Sequence, residues 1–270
     1  MTIAPTVLVD DVVDEVSVLL SDTAHDRWTT AQLVTYLNSA QQDLATRTVA
    51  TRVYPAYVVT EPVKLTSGAK QTLVNSTYRA LMVMDITRNM GRLWVTGTEY
   101  EVDDAVYSVD TAGARYVCLV SHTAGATDPD SDSTNWVASP LIKEGLNIEQ
   151  WNKDNLDEYH GGWINAEPED EARVRFWIPI ENDKKGFYVY PQQPNSTALQ
   201  YVEITYAALP AATGAYGSAA KITLADEYKE AIMDYMLYKA FSRHNDHPES
   251  PLSKAGAYFQ VYLNNSVFSL

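Results

Sequence analysis

Several stretches of the chain carry residue types at spacings that could do chemistry. His160-Gly161-Gly162 has the look of an esterase oxyanion loop, but no Gly-x-Ser-x-Gly nucleophile turn accompanies it, so a glycine turn is expected. Asp128, Asp130 and Asp132 have the spacing that opens a calcium loop. Ser133 and Ser139 stand where that loop needs its glycine and its bidentate glutamate, which leaves a solvated acidic loop. His244 and His247 could share one helical face around a metal, yet Pro248 follows and no third ligand is evident. Glu167, Glu169, Asp170 and Glu171 form a charge run. A glycosidase needs two carboxylates at a defined separation, and a solvated turn is the simpler expectation. Cys118, the single cysteine, reads as a small buried hydrophobe in a strand and not as a nucleophile. There is no phosphate-binding glycine loop. The expectation is a protein without catalytic, cofactor or metal residues, and not an enzyme.

The elements that would position these residues follow from hydrophobic periodicity. Val9, Val12, Val13, Val16, Leu19 and Leu20 recur at helical spacing and predict a helix over 7–20. Thr29 with Gln32 forms a capping box, and Trp28 with Leu33 a hydrophobic staple, which start a second helix whose face is Leu33, Leu37, Ala40 and Leu44. These two helices are expected to form an antiparallel hairpin. Strands are predicted over 56–65, 81–87, 173–178, 187–190 and 199–206, with Pro191, Pro194 and Asn195-Ser196 marking a turn that would pair the last two as a hairpin. Tyr228, Ala231, Ile232, Tyr235 and Tyr238 give a helical stripe over 226–242. Ser250 and Pro251 start a last helix with Leu252, Ala255, Phe259, Tyr262 and Leu263 on one face. The order of elements predicts an α+β fold: a helical bundle from the N- and C-terminal helices, a central antiparallel β region and a small inserted β domain.

Bulk properties narrow the function. The 270 residues are 46% hydrophobic, enough for a folded core. No apolar run approaches the roughly 20 residues of a membrane helix, and no secretory signal is apparent at Met1-Thr2-Ile3-Ala4-Pro5. A single cysteine precludes an intrachain disulfide and fits assembly in a reducing cytoplasm. The net charge of −15 disfavours a DNA-binding enzyme, because phosphate binding requires Lys and Arg to displace counterions. It does not disfavour a wall past which DNA must slide without sticking.

Four blocks in series then resemble one family. Arg27-Trp28-Thr29 with Leu33, Tyr36-Leu37-Asn38 and Ala40-Gln41 comes first, then Arg88-Asn89-Met90-Gly91, then Phe187-Tyr188-Val189-Tyr190-Pro191. The fourth runs from Ala225-Asp226-Glu227-Tyr228 through Ala231-Ile232, Asp234-Tyr235 and Leu237-Tyr238 to Ser242. Together they resemble the head-to-tail adaptor proteins of tailed phages. The resemblance implies a structural virion protein of the neck, assembled in the host cytoplasm, with no enzymatic role. It implies a homo-oligomeric ring of about twelve copies that docks under the portal protein, receives a tail or nozzle protein, and forms part of the conduit through which double-stranded DNA passes unbound. The C-terminal segment is the candidate portal contact, through Tyr258, Phe259, Tyr262, Phe268 and Leu270.

Residues 92–139 fall outside that resemblance, and the adaptor core is read as 1–91 with 140–270. Trp94, Thr98-Glu99-Tyr100, Asp103, Tyr116-x-Cys118, His122-Thr123 and Trp136 resemble a small carbohydrate-binding module of the chitin-binding type. The resemblance implies that Trp94, Tyr107, Tyr116 and Trp136 contact a glycan or a neighbouring protein. The alternative function is a carbohydrate-binding protein whose insert recognises host or environmental glycans. A cell-wall glycosidase is the third reading.

Overall fold

In the computed structural model, the residues described are 4–51, 54–74, 76–111, 114–139, 147–166, 173–195, 199–243 and 251–268. The chain divides into two compact units, Met1–Val58 with Ala207–Leu270, and Val59–Tyr206. Helices dominate the first and strands the second, so the fold is α+β.

The first unit contains α1 (Val9–Leu19), α2 (Thr30–Ala50), α4 (Lys229–Ser242) and α5 (Pro251–Phe268). The start of α2 follows the local chemistry read from the sequence. The Thr29 hydroxyl accepts from the Gln32 amide at 3.3 Å, while Gln32 Oε1 accepts from the Thr29 amide at 3.2 Å. Asp22 fixes the approach by accepting backbone bonds from Asp26, Arg27 and Trp28, and the bond from Trp28 chiefly lowers its pKa. The apolar stripes of all four helices meet in one core. Val12, Val16, Leu33, Leu37, Leu44, Ile232, Met236 and Tyr262 are buried there. A helix face of this width is stabilised mainly by such shared burial, since helices of 11 to 21 residues are marginal alone.

The second unit is built on a six-stranded sheet and a four-stranded sheet. The first has the order β1 (Val58–Lys64), β12 (Gln200–Ala208), β3 (Ala80–Leu93), β5 (Ala105–Tyr107), β6 (Arg115–Cys118), β8 (Trp136–Ala138). The second runs β2 (Gly68–Thr72), β11 (Asp183–Gln193), β10 (Phe176–Ile180), β9 (Glu149–Gln150). A short pair, β4 (Glu99–Tyr100) with β7 (His122–Thr123), and helix α3 (Lys153–Tyr159) complete it.

Two features correct the sequence reading. The region is not purely antiparallel, because β3 pairs with β5 and β10 with β9 in parallel. The hairpin is not between the strands at 187–190 and 199–206. These lie in different sheets, and β11 instead pairs with β10 across the two-residue loop Glu181-Asn182, a favoured hairpin connection. Residues 92–139 adjoin the host sheet. β3 runs on to Leu93 and offers its edge to β5, so strands of the insert continue the host sheet, and Tyr107 stacks on Tyr201 at 3.9 Å. They keep a small core of their own, from Trp94, Tyr100, Val106, Cys118, Ala124 and Trp136.

Gly91 permits this junction. Its φ is +121°, and a Cβ built there would lie 2.7 Å from the Ala105 carbonyl oxygen, on the strand that docks beside it. Gly91→Ala is expected to destabilise the second unit by about 2 kcal/mol or more, through a strained backbone and a clash with backbone that cannot swing aside. Chemical denaturation followed by tryptophan fluorescence checks this; an unchanged midpoint would mean that the β3–β5 junction is misdescribed.

Candidate assembly surfaces

The C-terminal helix brings three of its five candidate contact residues together, but on its inner face. Tyr258 stacks on Phe241 with ring centroids 5.6 Å apart, and Phe259 lies 4.7 Å from Tyr238. Tyr262 is fully buried and its hydroxyl donates to Asp43 Oδ2 at 2.5 Å. Arg47 holds the same carboxylate and lies over the rings of both Phe259 and Tyr262. Tyr228 and Tyr235 likewise pack within the bundle. The Phe268 side chain and Leu270 lie outside the described residues. The face that α5 turns outward is different: Lys254, Gly256, Ala257, Gln260, Val261 and Asn264, with Val261 44% exposed. Sequence period located the seam correctly. Apolarity marks the packed side of such a helix, so the outward side had no signal of its own beyond the one misplaced valine.

The insert shows the same inversion. Trp94, Tyr107 and Trp136 are buried, and Tyr116 is half-buried against the insert core. Trp136 meets Tyr100 edge-on at 5.1 Å and His122 at 5.3 Å. The ring faces that would stack on sugar are therefore spent on packing in three of the four candidates. Cys118 donates to the Val120 carbonyl at 3.1 Å, and burial pushes its thiol up from the usual range. His122 Nδ1 lies 2.7 Å from the same carbonyl, so that nitrogen carries a proton and cannot serve Cys118 as a base. What the insert exposes is aliphatic: Val102, Val109, Leu119, Val120 and Val137.

The acidic loop forms a staple. The carboxylates of Asp110, Asp128 and Asp130 come within 4.8 Å of one another, whereas Asp132 turns away to accept from Asn135, whose side-chain bond chiefly lowers its pKa. Asp128 is buried and accepts from the Ser108 hydroxyl at 2.6 Å and the Val109 amide at 2.8 Å. Those donors hold the carboxylate in place and give it a structural task. At the other loop, Gly162 takes a left-handed conformation after the end of α3, as a glycine turn should, and His160 pairs with the Tyr190 hydroxyl. His244, His247, Glu167, Glu169, Asp170 and Glu171 lie outside the described residues. Among the described residues no helix is long and apolar enough to cross a membrane.

The family-like blocks hold residues whose roles the apolar pattern did not predict. Asn38 and Gln41 on α2 accept backbone bonds from Thr213, Thr223 and Leu224. Asn89 bonds both backbone groups of Val174, as a strand would. Arg88 grips Glu203 through two nitrogens at 3.0 and 2.9 Å. Polar residues on otherwise apolar faces are the signal that could have found them.

Buried tyrosines give these surfaces a pH limit. Desolvation first, then the Asp43 carboxylate, holds Tyr262 far above the usual phenol range, and burial pushes Tyr107 to about 12. A raised folded-state pKa favours the protonated fold, so its contribution is complete below the unfolded phenol value of about 10 and is lost as pH rises beyond it. Stability measured from pH 9 to 12 should fall together with the appearance of tyrosinate absorbance. Tyr262→Phe should cost about 1–2 kcal/mol at neutral pH by removing a buried donor from Asp43, and should flatten that alkaline decline.

No curated protein matches the chain. A family model described as SU10 adaptor protein matches residues 7–266, from just before α1 almost to the end of α5 and across the insert. The chain thus belongs to the SU10 adaptor protein family, structural adaptors of phage virions.

Proposed function

We propose that the protein forms a ring of about twelve copies under the portal, joins the capsid to the tail or nozzle, and lines part of the DNA conduit. The observation that carries this reading is the family match along nearly the whole chain. The charge supports it: a net −15 wall repels a polyanion and lets it slide.

The C-terminal helix docks on the portal through its outward face, around Gln260, Val261 and Asn264. A truncation before Ser250 does not isolate docking from folding, because it removes Tyr262 and Ala255 from the core. Val261→Asp is the cleaner test. It should leave the melting temperature within a few degrees, as surface changes away from special features do, and abolish co-sedimentation with purified portal. Retained co-sedimentation would place the contact elsewhere.

Residues 92–139 act as an accessory element of the virion neck, meeting a neighbouring virion protein through their exposed aliphatic side chains. Replacing 94–139 by a Gly-Ser bridge should leave ring assembly on the portal intact in electron micrographs. Loss of the ring on deletion would show that the element belongs to the assembly core.

A further inference from the structure

The four-stranded sheet of the second unit carries an aromatic row that is only partly covered. The register sets Phe176 opposite both Glu149 and Tyr190, so all three side chains stand on one face. Trp151, two residues beyond Glu149, returns to that face and stacks on Phe176 at 3.9 Å and 24°. Phe176 and Tyr190 follow in nearly parallel planes, 14° apart at 6.2 Å. Leu156 of α3 and the following Trp163 bury the Ile178 end of the face, but Trp151, Phe176 and Tyr190 remain half-exposed. Tyr159, at the end of α3, lies 6.0 Å from Trp151 and is 70% exposed.

Two observations say what chemistry fits here. The β9 edge of the face is acidic: Glu149 is exposed there, Asp154 and Glu158 of α3 are exposed as well, and Lys153 is occupied by Asp157 at 3.2 Å, while the exposed Lys70 stands at the opposite edge, across from Tyr188. Elsewhere the chain sets its own cations over aromatic rings, Arg27 over Trp28 at 4.5 Å, Arg92 over Tyr100 at 4.7 Å and Lys254 over Phe241 at 5.9 Å. Among the described residues no Lys or Arg stands over Trp151, Tyr159, Phe176 or Tyr190. The faces of Trp151 and Tyr159, beside the exposed Glu149 carboxylate, select a planar guanidinium, which stacks on the rings and pairs with the carboxylate, while Tyr190 is already stacked by His160 at 4.7 Å. We propose that this face binds an arginine-bearing segment of a partner protein. A sugar would use the rings and could donate its hydroxyls to Glu149, but being neutral it would not need the carboxylate's charge as a guanidinium does.

The test uses the full chain and capped peptides with two arginines separated by glycine, against the same peptides with citrulline, the uncharged isostere. The readout is the indole N–H signal of Trp151, assigned with Trp151→Phe. The arginine peptide should shift that signal at millimolar concentration or below, with the citrulline peptide roughly tenfold weaker. Added salt should weaken the binding. Glu149→Gln and Tyr159→Ala alter exposed side chains, so the other indole signals should stay in place while arginine-peptide affinity falls several-fold. Equal binding of the two peptides, or no shift at millimolar arginine peptide, overturns the proposal. Binding of chitohexaose that is indifferent to Glu149→Gln, without preference for arginine, would assign the face to a glycan instead.

Discussion

The backbone between β12 and α4 has almost no regular structure to satisfy it, and the first unit depends on how its polar groups are paired. An unpaired buried amide costs about as much as a lost hydrogen bond, so such a segment must find partners. Here they come from the helices. The Asn38 carbonyl oxygen accepts from the Thr213 amide at 2.8 Å, and the Gln41 oxygen accepts from Thr223 and Leu224 at 2.6 and 3.1 Å. At α1, Asp10 accepts from Gly217 and Asp14 from the Tyr216 hydroxyl. The chain before α1 closes the account: Val9 donates to Ala220, Ile222 donates to Val7, and Asp226 accepts from Thr6 and Val7. Two helices from one end of the chain and two from the other are thus tied by one pinned connector, which brings Ile222 and Leu224 into the shared core.

The second unit solves a similar problem on β3. Consecutive residues there face opposite sides of the sheet and serve opposite neighbours. Arg88 reaches Glu203 on β12, where burial works against the carboxylate but Arg88 and Thr87 bring its pKa below the usual value. Asn89 is buried and imitates a strand toward Val174. Gly91 then lets the strand pass β5 at a distance no side chain allows. Three positions within four residues thus fix a pairing, a docking and a junction. Such a block tolerates little change whatever the insert does.

Much of the helical unit was legible because its determinants are local. A capping box, a staple and stripes at helical spacing involve residues a few positions apart, and the capping box forms and the stripes bury as the pattern put them, except Leu19 of the first stripe, which is exposed. The β unit was read less well for a matching reason. Strand partners lie far apart in sequence, and nothing local in Pro191 or Asn195 tells which strand comes alongside. Gly91 had no role legible in sequence, since a glycine that ends a strand and one that admits a neighbour look alike there. Helix α3 escaped because seven residues with one buried leucine have no period to detect.

Most of the candidate contact residues that the structure describes lie inward. Aromatic side chains were chosen because they favour interfaces, but a ring buries the same area in a core as in a contact. In the insert the strands are two to four residues long, too short to enclose a core with aliphatic side chains alone. Trp94, Tyr100 and Trp136 fill much of that volume with Val106, and Val102, Val109, Val120, Val137 and Leu119 are left outside. In α5 the inward tyrosine, Tyr262, donates to the Asp43 carboxylate that Arg47 also holds. A small unit spends its largest rings inward first, so its contact surface has to be sought among what remains. For α5 that is a sparsely apolar face on which Val261 is the large hydrophobic side chain left exposed among the described residues.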